Sequence, residues 1–328
     1  MLAIVCPGQG SQTPGFLAPW LEVPGVAEHL AALSEVAQLD LTAHGTTSDE
    51  ETIKDTAVAQ PLIVAAGLVS AKALFDVELS SLPISLAGHS VGEITATALA
   101  GVLSEEDAMR FVRERANGMA AAAAVTPTGM TAIVGGEPSE VLAAIEAAGA
   151  TPANVNGAGQ IVAAGTFEQL EALAGNPPAK ARVIPLKVAG AFHTTHMAPA
   201  VGALDSFQHE LDIHEPQVPL LSNFDGQPIA NGKAGVASLV AQVSRPVRWD
   251  LCMETLLAQG VKGLIELSPA GTLTGLAKRG MKGVKTVAVK TPADLEAALA
   301  LFAEVEQESA PAGTGHHTAA AEDTEGAR

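Results

Sequence analysis

"SLAGHSVGEI", residues 85–94, sets Ser90 between Gly88 and Gly92 at the end of an apolar run. Leu82 to Leu86 reads as a short buried strand, and Val91 to Leu103, rich in Ala and Leu, as a helix. Ser90 then occupies a sharp strand-to-helix turn. Such a turn strains its central residue and brings the next helix close behind it, so a side chain at either glycine would collide. The hydroxyl projects clear of the backbone at the positive end of the helix. In a chain with 32 glycines the bare G-x-S-x-G pattern arises by chance. The flanking strand and helix make Ser90 a candidate nucleophile rather than an ordinary turn residue.

A chain of 328 residues suits one large domain, or a large one with a smaller insertion. Its 48% hydrophobic content is that of a globular protein, with only 3% aromatic residues. A formal net charge of −18 argues against general nucleic-acid binding, which needs a basic face. Any anionic ligand must be met by local cations. Cys6 and Cys252 have no metal-binding spacing and read as reduced core residues of a cytoplasmic protein. The N-terminus has no basic region, and Pro7-Gly8-Gln9-Gly10 interrupts its apolar start, so neither a signal peptide nor a membrane span is expected.

Leu2 to Cys6 reads as a first buried strand leading into that glycine-containing loop. The loop fits neither G-x-x-x-x-G-K-[ST] nor G-x-G-x-x-G, which weakens a phosphate cradle and leaves a loop carrying Gln9 towards a site. Thr56 to Phe75 is an Ala-rich helical segment, and Ser104-Glu105-Glu106-Asp107 resembles a helix N-cap, its helix running to about Ala123. From Met130 to Val188 the order is strand (130–134), helix (139–148), strand (153–156), strand (160–164), helix (167–174) and strand (181–188). That β-α-β-β-α-β order is a ferredoxin-like module inserted into a larger α/β domain. Helices are then expected around 199–211, 236–243, 251–259 and 293–306, with strands near 218–222 and 262–267. Beyond Glu308 the composition cannot build a core, and His316 and His317 there are too few to hold a metal.

A serine hydroxyl needs a base, normally a histidine. His89 adjoins Ser90, and neighbouring side chains in a tight elbow point apart. His29, His44, His209 and His214 read as solvated surface residues. His193 and His196 lie in "GAFHTTHM", where the chain leaves the inserted module, and loops at such junctions line clefts. His193 is favoured as the base over His196, against a structural histidine. Arg115 falls in the middle of an apolar helical stripe formed by Ala108, Phe111, Val112, Met119 and Ala122. A core-facing arginine must be paired. Its partner is either a structural carboxylate or the carboxylate of a substrate, which a guanidinium fork suits. Acyl transfer also needs an oxyanion hole. The amide of Val91, after the serine, is one candidate donor and the Gln9 loop a second, against Gln9 as a plain turn residue.

Taken together, "PGQGSQ" (7–12), "GHSVGE" (88–93), Arg115 with Gly118-Met119, "NVNGAGQIVAAG" (154–165), "AFHTTHM" (191–197), "QVSRPVRW" (242–249) and "ELSPAGTLTGL" (266–276) resemble the malonyl-CoA:acyl carrier protein transacylase family. The resemblance implies an α/β-hydrolase-like domain from residues 1–124 and 189–306, a ferredoxin-like subdomain over 125–188 and a tail over 307–328. It implies Ser90 as nucleophile, His193 as base, the backbone carbonyl of Gln242 orienting that base in place of an acid, and Gln9 and Val91 as backbone oxyanion donors. Arg115 would pair with the malonyl carboxylate, with Met119 and Phe192 beside it, Phe192 going with malonyl rather than bulkier branched groups. His196 is a bystander. No cofactor is implied beyond malonyl-CoA as substrate. The partner is acyl carrier protein, with no nucleic acid and no membrane, and a monomer is expected. The carrier would dock on local cations, either Lys278, Arg279, Lys282 and Lys285 or Lys180, Arg182 and Lys187. Rival readings are a serine hydrolase or thioesterase with the same Ser-His pair, and a non-catalytic subunit that keeps the fold.

Overall fold

The computed structural model describes residues 1–75 and 79–309. Among these the strands are β1 (Leu2–Cys6), β2 (Ile84–Gly88), β3 (Thr128–Gly135), β4 (Thr151–Gly157), β5 (Gln160–Thr166), β6 (Ala181–Leu186), β7 (Leu220–Leu221), β8 (Val247–Arg248), β9 (Gly263–Glu266) and β10 (Lys285–Ala288). The α-helices are α1 (Val26–Ala37), α2 (Leu41–Thr46), α3 (Thr56–Leu74), α4 (Gly92–Leu99), α5 (Glu105–Ala123), α6 (Pro138–Ala147), α7 (Phe167–Gly175), α8 (Ala198–Phe207), α9 (Gly232–Gln242), α10 (Trp249–Ala258), α11 (Thr272–Gly280) and α12 (Leu295–Ser309).

The larger sheet is parallel, in the order β10-β9-β1-β2-β7. Every residue of β1 and β2 is buried. Alternate side chains serve opposite faces: Leu2, Ile4 and Cys6 join one apolar cluster, while Ala3 and Val5 join another. α3 is long and apolar enough to cross a membrane, but most of it is buried inside this protein, packed against α5 and α4. It is a core helix. Cys6 and Cys252 are free and buried, as their spacing predicts.

The smaller sheet runs β6-β3-β5-β4-β8. Its first four strands are mutually antiparallel and stand in the ferredoxin-like order, the fourth strand of the unit beside the first and the third between first and second. Ile133, Val141, Ile145, Ile161, Ala163 and Leu173 form its own core. The fifth strand, β8, was not anticipated. It pairs in parallel with β4, Asn154 opposite Val247, and so ties the module to the main body.

Several boundaries shift for local reasons. α4 ends at Leu99, not Leu103, because Gly101 turns left-handed at φ 77°. Ser104 caps α5 as expected, its hydroxyl accepting from the Asp107 amide at 3.0 Å. The sequence reading assigns no element between Leu267 and Ala293, yet α11 and β10 lie there, with Gly275 obscuring the helical pattern. α12 continues to Ser309, past the expected end at Glu306 and into the expected tail. The rest of that tail, with His316 and His317, lies outside the described residues.

The elbow glycines are a steric necessity. A Cβ on Gly92 would lie 2.2 Å from the Cys6 carbonyl oxygen and 2.5 Å from that of Pro7, and one on Gly88 would lie 2.1 Å from the Gly92 carbonyl. These contacts are backbone against backbone, which has no rotamer to yield. Gly92→Ala should therefore destabilise by about 3 kcal/mol or more. The chemical-denaturation midpoint measures it, and a midpoint equal to wild type would contradict the close approach of α4 to β1.

Candidate active site

Cys6 and Gly88 are paired neighbours, so the loops after β1 and β2 leave the carboxyl edge of the sheet side by side. The His89 amide donates to the Cys6 carbonyl at 2.9 Å and holds them together. Open parallel sheets bind their ligands at this edge.

Ser90 sits on the turn at φ 53°, in the left-handed region. Its amide donates to Asn223 Oδ1 at 2.8 Å, while Asn223 Nδ2 donates to the Gly88 carbonyl at 2.6 Å. The turn is thus clamped from both sides. The Ser90 hydroxyl lies 2.7 Å from His193 Nε2, and His193 Nδ1 lies 2.8 Å from the Gln242 carbonyl oxygen. A carbonyl can only accept, so Nδ1 carries the proton and the Nε2 lone pair faces the serine. Of the two histidines left open by the sequence, the structure brings His193 to Ser90. His193 is itself left-handed at φ 61°, its amide bonded to the Val243 carbonyl at 3.2 Å beyond the end of α9.

Arg115, 1% exposed, comes from α5 as the helical stripe predicts. Its Nη1 donates to Gln60 Oε1 at 2.6 Å and its Nη2 to Gln242 Oε1 at 2.9 Å, and Nη2 stands 3.4 Å from Ser90 Oγ. Among the described residues no carboxylate forms an ion pair with it, and its buried Nε has no partner. The structural ion pair considered from the sequence is absent there. Burial lowers its pKa to about 10, opposed by the charge of Glu93, so the guanidinium is charged at neutral pH.

A cavity of about 270 Å³ opens over Ser90, lined by Gln9, Val91, His193, Met119 and Phe192 among others. Neither the Gln9 nor the Val91 amide meets a protein backbone acceptor among the described residues, so both are free to face a developing oxyanion. The Gln9 side chain turns aside to donate to the Lys54 carbonyl at 3.2 Å. The wall opposite the elbow is the smaller sheet, through Asn154, Asn156 and Gln160.

Residues missed in the sequence complete the site. Gln60 is the one amide in the apolar run of α3, a signal in hindsight; besides Arg115 it contacts Met119 Sδ at 3.5 Å. Glu93, in the first turn of α4, is buried and accepts from Gln242 Nε2 and from the Asn223 amide at 3.3 Å. Asn223 carries no local signal. His89 does point away from the base position, bonding Asn156 Oδ1 at 2.8 Å. His29 is not solvated: its side chain is 8% exposed and its Nε2 lies 2.6 Å from Glu105 Oε2. Lys285, expected in a docking cluster, is exposed together with Lys278, Arg279 and Lys282, but it is paired with Glu304 and lies 3.8 Å from Glu308. Lys187 and Lys54 line the cavity instead.

Burial first, and the Arg115 charge second, lower the His193 pKa to about 3. For a basic group this keeps the neutral, proton-accepting form down to acid pH. The acidic limb of kcat/KM, which reports the free enzyme, should fall well below the ordinary histidine value of about 6.5. A pH-rate profile with its limb at that ordinary value would contradict the dry, cation-flanked setting.

An elbow serine hydrogen-bonded to a histidine at the carboxyl edge of a parallel sheet, over a cavity with free backbone amides, defines a serine enzyme of α/β architecture that works on acyl groups. Residues 3–304 match the family model for the acyl transferase domain. The malonyl CoA-acyl carrier protein transacylase of Mycobacterium tuberculosis is 51% identical over 297 residues, covering 90% of this chain and 98% of that protein. The crystal structure of the Mycobacterium tuberculosis MCAT superposes with a TM-score of 0.88 at 51% identity, over 90% of this chain and 99% of that one. A structure of a type II PKS acyl-carrier protein in complex with its malonyl-transacylase matches with a TM-score of 0.83 at 31% identity, over 91% and 99% of the two chains. The chain belongs to the acyl transferase family, in its malonyl CoA-acyl carrier protein transacylase branch.

Proposed function

We propose that this enzyme transfers a malonyl group from malonyl-CoA to the phosphopantetheine thiol of acyl carrier protein, supplying extender units for fatty acid or polyketide synthesis. The observation that carries the reading is the meeting of two groups, a base and a buried cation, on the serine oxygen. Ser90 Oγ lies 2.7 Å from His193 Nε2 and 3.4 Å from Nη2 of the buried Arg115 fork. A carboxylate that Arg115 can hold while its acyl carbon bonds Ser90 must be short, and two C–C bonds of about 1.5 Å separate the carbonyl and carboxylate carbons of a malonyl group.

His193 Nε2 takes the Ser90 proton as Oγ bonds the thioester carbon. The amides of Gln9 and Val91 hold the oxyanion. The C–S bond breaks, and coenzyme A leaves with the proton from His193. The carrier thiol then gives its proton to His193 as its sulfur bonds the ester carbon, and Oγ departs, regaining the proton. The Gln242 carbonyl keeps Nδ1 protonated throughout, and Met119 and Phe192 bound the acyl site. Once the malonyl carboxylate offsets the Arg115 charge, the imidazolium is easier to form than in the free enzyme. The cycle draws on side chains and backbone alone, with no cofactor.

Residues 125–188 act as a subdomain closing the site above the 1–124 and 189–306 body, and the enzyme works as a cytoplasmic monomer. Lys187 and the exposed cations of α11 suit an acidic carrier on an otherwise acidic protein. Intact-protein mass spectrometry after brief mixing with malonyl-CoA tests the reading. A single malonyl adduct that persists until carrier thiol is added is expected. Free malonate accumulating without an adduct would point to a hydrolase instead.

A further inference from the structure

Gln242 makes two separate contributions. Its backbone carbonyl orients His193, while its side-chain amide lies between Arg115 and Glu93: Oε1 accepts from Arg115 Nη2 at 2.9 Å and Nε2 donates to Glu93 Oε2. An amide flip would set its NH₂ against the guanidinium and its oxygen against the carboxyl group, so the two neighbours fix its orientation. Asn223 adds a third constraint, its Oδ1 accepting from Gln242 Nε2 at 3.2 Å and its amide donating to Glu93 Oε1 at 3.3 Å. Both Glu93 oxygens therefore accept hydrogen bonds, in a site where the residue is only 2% exposed.

We infer that Glu93 is a positioning residue for substrate selection: through the Gln242 side chain it holds the Arg115 fork in register with Ser90 and so sets discrimination in favour of a carboxylated acyl group. The inference rests on the proposed function and deepens it. The Glu93 amide donates to the Ser90 carbonyl at 3.0 Å as part of the elbow, which a side-chain substitution leaves in place. Its carboxyl group bonds Gln242 and Asn223 rather than Ser90, and Glu93 is not among the residues that line the cavity, so the carboxyl group acts through those neighbours. Burying an acid here is costly, and burial pushes its carboxyl up to about 8 against the hydrogen bonds from Asn223 and Gln242. A glutamine in its place has one acceptor oxygen and an NH₂, which would oppose either the Asn223 N–H or the Gln242 NH₂. The Gln242 amide would then leave its place, and Arg115 would lose one of its two anchors.

The experiment compares rates of Ser90 acylation by malonyl-CoA and by acetyl-CoA, read by rapid quench and intact mass, in wild type, E93Q, R115A and the double variant. E93Q should lower malonyl acylation by about tenfold or more, the scale for a lost hydrogen bond to a charged group. Acetyl acylation should change by no more than about twofold, the scatter of independent sites. On the R115A background E93Q should not alter the malonyl-to-acetyl ratio further. A merely structural role predicts equal losses for both acyl groups, or a further fall in the ratio on the R115A background, and either result overturns the inference. If E93Q fails to fold, Q242M carries the test, since it keeps the backbone carbonyl on His193 and deletes only the side-chain link. It should reproduce the loss of discrimination, and an unchanged ratio would overturn the inference equally. A wild-type protein that forms no malonyl adduct overturns the proposed function itself, and this inference with it.

Discussion

Ser90→Ala should abolish the malonyl adduct and lower transfer to carrier protein by about 10⁴-fold or more, the scale seen when a nucleophile that works as a unit with its base is removed. The oxyanion amides and the Arg115 fork remain in this variant, so it still binds malonyl-CoA. Stability should change little. The elbow is clamped through the Ser90 amide, 2.8 Å from Asn223 Oδ1, and through the Gly88 carbonyl, neither of which involves the hydroxyl. Alanine also tolerates the φ of 53° about as well as serine does. Thermal unfolding beside the acylation assay separates the two effects. Transfer by Ser90→Ala at near wild-type rate would end the serine-ester mechanism.

Arg115→Ala should cut malonyl acylation by on the order of 10²- to 10⁴-fold, since each hydrogen bond to a charged group is worth about 1.5–3 kcal/mol and a bidentate pair supplies two. Acetyl acylation should persist, because the Ser90–His193 pair at 2.7 Å does not need the guanidinium. It should even gain a stronger base. The Arg115 charge is the second cause of the lowered His193 pKa, and its removal lets that pKa rise. Arg115→Lys should not restore malonyl transfer: a point charge cannot reach Gln60, Gln242 and a carboxylate together. Parallel acylation kinetics with malonyl-CoA and acetyl-CoA test both variants. Equal losses for the two substrates would remove Arg115 from substrate selection and leave it a packing role.

Arg115 was legible because helical spacing alone sets it among Phe111, Val112 and Met119, and a charge on that stripe has to be explained. The Gln242 carbonyl was not legible from residue chemistry, because every residue has one. Only the resemblance pointed to it. Between His193 and His196 the loop sequence only favoured His193, and the structure brings its Nε2 to Ser90, with the Val243 carbonyl fixing the His193 backbone.

From sequence alone came the elbow with its two glycines, the six-element order of the ferredoxin-like module and the burial of Arg115, because each depends on contacts within one or two turns of chain or on strand and helix periods. Only the tertiary structure decided that Gln60 of α3, Glu93 of α4, Asn223 after β7 and Gln242 of α9 converge on Arg115 and Ser90. Those residues lie on four separate segments, and none changes the local period of its own. Their partners are polar groups that exclude water together, and a polar residue in a core is stable only where the distant chain supplies its other half.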